Sequence, residues 1–212
     1  MRTVNEQYYS QDGQDKYILE TFFPYEKKGV FVDIGANDGI TFSNTYAFEK
    51  RGWTGYCIEP LDKVFPILQA NRPGSMCIQA VISDFRGKTD FLAINGYCEM
   101  LSGEMKKYDP RHLERIEKEI AEHGGTKKLV PTYSYRFEDL IKLEDIDYLS
   151  IDVEGGELDI IQSIDFKKYY VKVLSVENNY HDVKMADLIE SYGFHFVNNL
   201  GRDNIFLNAN IR

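Results

Sequence analysis

The 212-residue chain predicts an α/β fold with a mainly parallel, seven-stranded sheet, helices on both faces and an antiparallel C-terminal strand pair. Two observations carry this. Short apolar runs alternate with turns and helical stretches along the chain, with no internal repeat and no low-complexity linker. Four of the runs also end in an acid, at Asp33, Glu59, Asp152 and Glu177, and Asp84 follows a fifth. Packing gives a core strand no reason to end in a carboxylate, whereas ligands of open α/β sheets bind outside the carboxyl ends of strands.

The elements follow in order. Gly29–Ile34 reads as the first strand and Gly55–Glu59, stopped by Pro60, as the second. Met76–Ile82 is the third, Ile146–Ile151 the fourth and Val171–Val176 the fifth. Phe194–Val197 and Asn204–Leu207 read as the closing antiparallel pair around a polar turn. Thr41–Lys50 reads as a helix. Residues 95–128 interrupt the alternation, and within them Pro110–His123 is helical: Leu113, Ile116 and Ile120 share one face, and Gly124-Gly125 stops the run. That helix is either an ordinary solvated amphipathic element or a lid on the substrate side. The whole chain, 1–212, is expected to form one domain.

Composition narrows the function classes. Lys plus Arg number 25 against 34 Asp plus Glu, a net charge of −9, which argues against the basic stripe of a nucleic-acid binder. No apolar run approaches the ~20 residues of a membrane span. Residues 1–10 are polar, so a cytoplasmic protein is expected. Cys57, Cys77 and Cys98 form neither a disulfide framework nor a CxxC pair.

Asp33-Ile-Gly-Ala-Asn-Asp-Gly39 is the strongest local signal, a D-x-G-x-N-x-G turn. Gly35 and Gly39 let backbone pass close to a ligand, and Asp33 and Asn37 flank them. A helix beginning just after the turn offers free N–H groups to a carboxylate. Glu59 is placed to accept both hydroxyls of a ribose, and Asp84 to accept an adenine amino group. The glycine spacing differs from the G-x-G-x-x-G of dinucleotide sites, which sets aside an NAD-dependent dehydrogenase.

Taken in order, Ser10–Lys16, Phe31–Gly39, Trp53–Pro60, Ala80–Asp84 and Ile151–Gly155 with Glu157 resemble the motifs of the FkbM-type methyltransferases. The resemblance spans residues 10 to about 180. It implies a Rossmann-like class I methyltransferase fold, S-adenosylmethionine as cofactor, and O-methylation of a sugar, glycan precursor of the capsule or lipopolysaccharide kind, or other small metabolite. It also places Gln14 and Asn44 at the cofactor pocket.

Methyl transfer to a hydroxyl needs an aligned nucleophile and either a base or a cation to take up its proton or polarise it. Asp152 and Glu154 follow the fourth strand; Glu177, Asn178 and Asn179 follow the fifth, with His181 just beyond. Asp152, Glu154 and His181 are thus the candidate catalytic residues. The arrangement is similar to catechol-type O-methyltransferases, a likeness that implies Asp152, Glu177 and Asn178 as ligands of Mg²⁺ or another divalent ion. His112, His123 and His195 lack placement at a strand end. Tyr97 and Tyr180 sit where a sugar face could stack, and Lys106, Lys107, Lys127 and Lys128 flank the insertion, where a phospho-substrate would find them. The competing non-enzymatic reading is a cofactor-binding scaffold, which the intact strand-end acids disfavour.

Overall fold

The computed structural model describes residues 7–210, so most of the polar stretch 1–10 lies outside the described residues. In chain order the elements are α1 (Gln14–Phe22), β1 (Val30–Ile34), α2 (Tyr46–Lys50), β2 (Thr54–Ile58), α3 (Phe65–Asn71), β3 (Met76–Ile78), β4 (Val81–Ile82), β5 (Gly87–Asn95) and β6 (Gly103–Glu104). There follow α4 (Pro110–His123), β7 (Thr126–Tyr135), α5 (Phe137–Leu140), β8 (Asp145–Ile151), α6 (Glu157–Ser163), β9 (Tyr170–Glu177), α7 (Val183–Ser191), β10 (Phe194–Leu200) and β11 (Asp203–Asn208). Among the described residues no helix is long and apolar enough to cross a membrane.

The main sheet has seven strands in the order β10-β11-β9-β8-β1-β2-β3. Its five central and edge strands β9, β8, β1, β2 and β3 are parallel, and β11 joins β9 and β10 antiparallel. Side-chain alternation splits each strand between two cores. Phe31, Cys57, Tyr148, Val173 and Ile205 face Ile18 and Leu19 of α1, Phe48 of α2 and Leu68 of α3. Val32, Ile58, Leu149 and Leu174 face the opposite way, onto Phe137 of α5, Ile160 of α6 and Ile189 of α7. Burial on both faces explains why these strands read as continuous apolar runs rather than alternating ones.

Two expectations change. The third run, Met76–Ile82, is two strands: β3 stays in the main sheet, while β4 leaves it and pairs with β7. Between them Gln79 turns its amide to Asp62, 2.6 Å away. The run is apolar on both sides of that break, so periodicity alone could not place it. The helix expected over Thr41–Lys50 forms only from Tyr46, because Phe42 is left-handed (φ 55°) and bridges Ser10, and Ser43 caps the turn by accepting from the Tyr46 N–H.

The insertion is larger than its helix. β5 and β7 pair antiparallel from Gly87↔Ser134 to Asn95↔Thr126 and, with β4 and β6, build a second, four-stranded sheet. The helix α4 matches its sequence bounds. Asp109 caps it by accepting the Arg111 N–H at 2.8 Å, Pro110 supplies a pre-set φ, and left-handed Gly124 (φ 73°) ends it. Its apolar stripe packs on Leu92 and Ile94 of β5, which gives Ile116 a buried partner rather than solvent.

Candidate active site

A cavity of about 530 Å³ opens at the carboxyl ends of β1, β2, β4, β8 and β9. The first wall is the turn after β1. Gly35 is left-handed (φ 92°), and a Cβ there would sit 1.7 Å from the Asp152 carbonyl oxygen, so only glycine lets β1 and β8 cross this closely. Asn37 is also left-handed (φ 46°) and faces the cavity. Asp33 is buried below the turn, accepts the Thr45 hydroxyl at 2.5 Å, and is raised by burial against the pull of Arg72.

Glu59 closes the next side. Only 5% exposed, it accepts the Asn37 N–H at 3.0 Å on one oxygen and the Leu61 N–H at 2.8 Å on the other. Burial pushes its carboxyl up to about 7 despite those two bonds. Each oxygen accepts only one bond and so retains capacity for another, as two vicinal hydroxyls would require.

Three carboxylates meet on the far side. Oxygens of Asp152, Glu154 and Glu177 lie within 4.8 Å of one another. Asp152 and Glu177 are raised well above the carboxylate range, by burial and by their mutual repulsion with neighbouring acids. Glu154, held left-handed (φ 59°), is pushed up to about 7 by burial, against Arg115. One oxygen each of Glu154 and Glu177 is buried without a hydrogen-bond partner. Glu157 anchors the loop between by accepting the Gly155 N–H at 2.8 Å.

Several expected residues converge on this cavity: Gln14, Asp33, Gly35, Asn37, Asn44, Glu59, Asp152, Glu154 and Glu177 all line it. Others do not. Asp84 lies outside the lining, with one carboxylate oxygen bound by Lys107 at 2.7 Å; Ser83 lines the cavity instead. Gly39 also lies outside, and its left-handed φ (80°) serves the turn and the packing of Arg72 and Leu68. Asn178 lines not this cavity but the smaller one beside it, with Glu154 and Glu177, and its amide exchanges hydrogen bonds with the Asp182 backbone at 2.8 and 3.2 Å, which fixes the loop before α7. His181 is exposed and lines neither this cavity nor a smaller one beside it, so it is not placed as a base.

Tyr97 lines the cavity; Tyr180 lines the smaller one, its ring covered by Arg111 at 3.8 Å. Lys107 is committed to Asp84 and Asp159, Lys127 to Glu117, and Lys106 and Lys128 are exposed. The spacing Tyr-x-x-x-Lys used by many NAD-dependent dehydrogenases occurs at Tyr46–Lys50 and Tyr180–Lys184, yet neither pair lines the main cavity.

Sequence reasoning missed four residues. Arg115 of α4 and Arg202 of the β10–β11 turn are the cations of the lining. His112, also on α4, is buried, stacked on Tyr108, and has its Nε2 3.5 Å from Glu154; burial pushes it down to about 4, so it is neutral. Asp203 opens β11, opposite Glu177 in register. An acid that starts an antiparallel strand reaches the same sheet edge as one that ends a parallel strand, and that rule could have found it.

Residues 33–196 match the family described as Methyltransferase FkbM domain. No curated protein matches the sequence. Among solved structures, a TehB-like SAM-dependent methyltransferase from Corynebacterium glutamicum is similar with a TM-score of 0.50 at 9% identity, over 94% of this chain and 89% of that one. M. capricolum TrmK, in complex with S-adenosyl-homocysteine, gives 0.45 at 12% identity over 93% and 68%. The Methanococcus jannaschii fibrillarin pre-rRNA processing protein gives 0.45 at 13% over 89% and 70%. At such identities the first bears on the fold alone.

Proposed function

We propose, from the premise that this chain belongs to the methyltransferase FkbM domain family and is S-adenosylmethionine-dependent, that it methylates a hydroxyl of a sugar or glycan precursor. The observation that carries the reading is the meeting of three carboxylates, one buried and two half-buried, beside the glycine turn, two of them with unpartnered oxygens. When bound, the cofactor supplies a methyl group on a cationic sulfur.

The chain's own residues divide the work. Glu59 holds the ribose hydroxyls, and the Gly35–Asn37 backbone lies along the neighbouring part of the cofactor. Glu154 is suited to take the acceptor's proton: a carboxyl near 7 is matched to general-base work at neutral pH, and neutral His112 behind it limits its freedom. Asp152, Glu154 and Glu177 also fit a hard divalent cation, since all three offer oxygen and two oxygens lack partners. Such an ion would polarise the acceptor hydroxyl. Helix α4 and residues 97–104 of the insertion cover the cavity as a lid over the acceptor.

Arg115 and Arg202 favour a second reading of the acceptor, as one carrying phosphate or carboxylate. Methyl-labelled S-adenosylmethionine offered with nucleotide-sugars, neutral glycan fragments and other small metabolites tests both. Label in a glycan hydroxyl supports the proposal; label confined to non-sugar acceptors refutes it. Activity that survives exhaustive EDTA and ignores added Mg²⁺ removes the cation and leaves Glu154 as the base.

A further inference from the structure

Asp203 is 4% exposed, lines the cavity, and stands on the α1 side of the sheet, away from Glu59. Its surroundings are built to hold it still. Gln14 accepts the Asp12 N–H at 3.0 Å with its oxygen, which fixes the amide so that its nitrogen donates to Asp203 at 2.7 Å. The Asn44 amide faces the same carboxylate. The turn Gly201-Arg202 presses on Asp12, where a Cβ on Gly201 would fall 1.9 Å from an Asp12 oxygen. Asp203 is therefore held from α1 and from the turn before β11.

What Asp203 lacks is a cation. Among the described residues its hydrogen-bond partners are neutral amides, no ion pair is made to it, and the acids Asp12 and Glu157 add to the cost of its charge. A desolvated carboxylate with neutral donors on one side and a cavity on the other is complementary to a positive ligand group. We propose that Asp203, oriented by Gln14, binds the α-ammonium of the methionyl end of the cofactor. The inference rests on the reading of the cavity as a cofactor site.

Topology supports the direction. β2, with Glu59, and β11, with Asp203, lie on opposite sides of β1, β8 and β9 in the sheet order. A ligand with its ribose at Glu59 that runs across the Gly35 turn meets Asp203 with its far end. Burial pushes Asp203 up to about 6 against the Gln14 and Asn44 amides, so near neutral pH the empty site holds a mostly ionised carboxylate at a desolvation cost that an ammonium would relieve.

The test compares two ligands on two proteins by calorimetry: S-adenosylhomocysteine and its deaminated analogue, on wild type and Asp203→Asn. The substitution keeps shape and an oxygen for Gln14 but removes the charge. The proposal expects S-adenosylhomocysteine to weaken at least about tenfold in the variant, while the deaminated analogue changes less than about threefold. Equal weakening of both ligands, or no weakening of either, overturns the ammonium assignment and leaves the cofactor site standing. Failure of wild type to bind S-adenosylhomocysteine at all overturns the cofactor reading and this inference with it. Gln14→Ala, whose circular dichroism reports folding separately, is expected to reproduce the same selectivity more weakly.

Discussion

Replacing Glu59 with alanine separates cofactor recognition from folding. Glu59 is raised from 4.5 to about 7, so the ionised carboxylate costs the empty fold about 3 kcal/mol relative to the unfolded chain. Alanine relieves that cost. It also leaves the Asn37 and Leu61 N–H groups without their acceptor, at roughly 1–3 kcal/mol each, less where water fills the vacated space. The two effects offset, and thermal stability is expected to move little. Affinity has no such offset. Two hydroxyl–carboxylate bonds are lost, each worth about 1.5 kcal/mol at the low end, so binding of S-adenosylhomocysteine should weaken about a hundredfold or more. Calorimetry with a melting curve for each protein reads both quantities. Unchanged affinity in a folded variant would refute the ribose assignment.

Three further outcomes follow from the same geometry. Glu59 and Asp203 hold protons to about 7 and about 6 in the fold against 4.5 and 3.8 unfolded, so the folded state binds more protons between those values. Stability of the ligand-free protein is thus fullest below pH ~4 on this account and declines as pH rises to ~7; a melting temperature that climbs from pH 5 to pH 8 would contradict it. Gly35→Ala should lose about 3 kcal/mol or more, since its Cβ would overlap the Asp152 carbonyl at a left-handed φ, and a melting point within a few degrees of wild type would show that β1 and β8 can part there. Arg115→Ala should lower kcat/KM for an anionic acceptor about tenfold or more and leave S-adenosylhomocysteine binding within about twofold; equal losses in both would place Arg115 at the cofactor instead.

The sequence carried the main sheet because its parallel strands are buried on both faces, which makes them short, mostly apolar runs, four of them with an acid at the carboxyl end. It carried α4 because Asp109-Pro110 and Gly124 mark both ends chemically. The second sheet was not legible: β5 and β7 open on polar stretches, Lys88-Thr-Asp90 and Thr126-Lys-Lys128, with no clean alternation, and their pairing joins residues 87 and 134 across the whole insertion. The site divides along the same line. Asp33, Gly35, Asn37, Glu59, Asp152 and Glu154 follow parallel strands and were readable from position. Asp203 was hidden by antiparallel direction, and His112 and Arg115 by residing on an inserted helix whose docking no local pattern states. Asn178 and His181 had the right place in sequence, but the loop after β9 turns their side chains to its own backbone and to solvent.

A crystal structure of the chain with S-adenosylhomocysteine tests the central claim most directly. The account predicts ribose hydroxyls on the two Glu59 oxygens, the sulfur facing Asp152, Glu154 and Glu177, and the amino-acid end between the Gly35 turn and Asp203. A ligand bound outside this cavity, or one whose ribose does not contact Glu59, would contradict it.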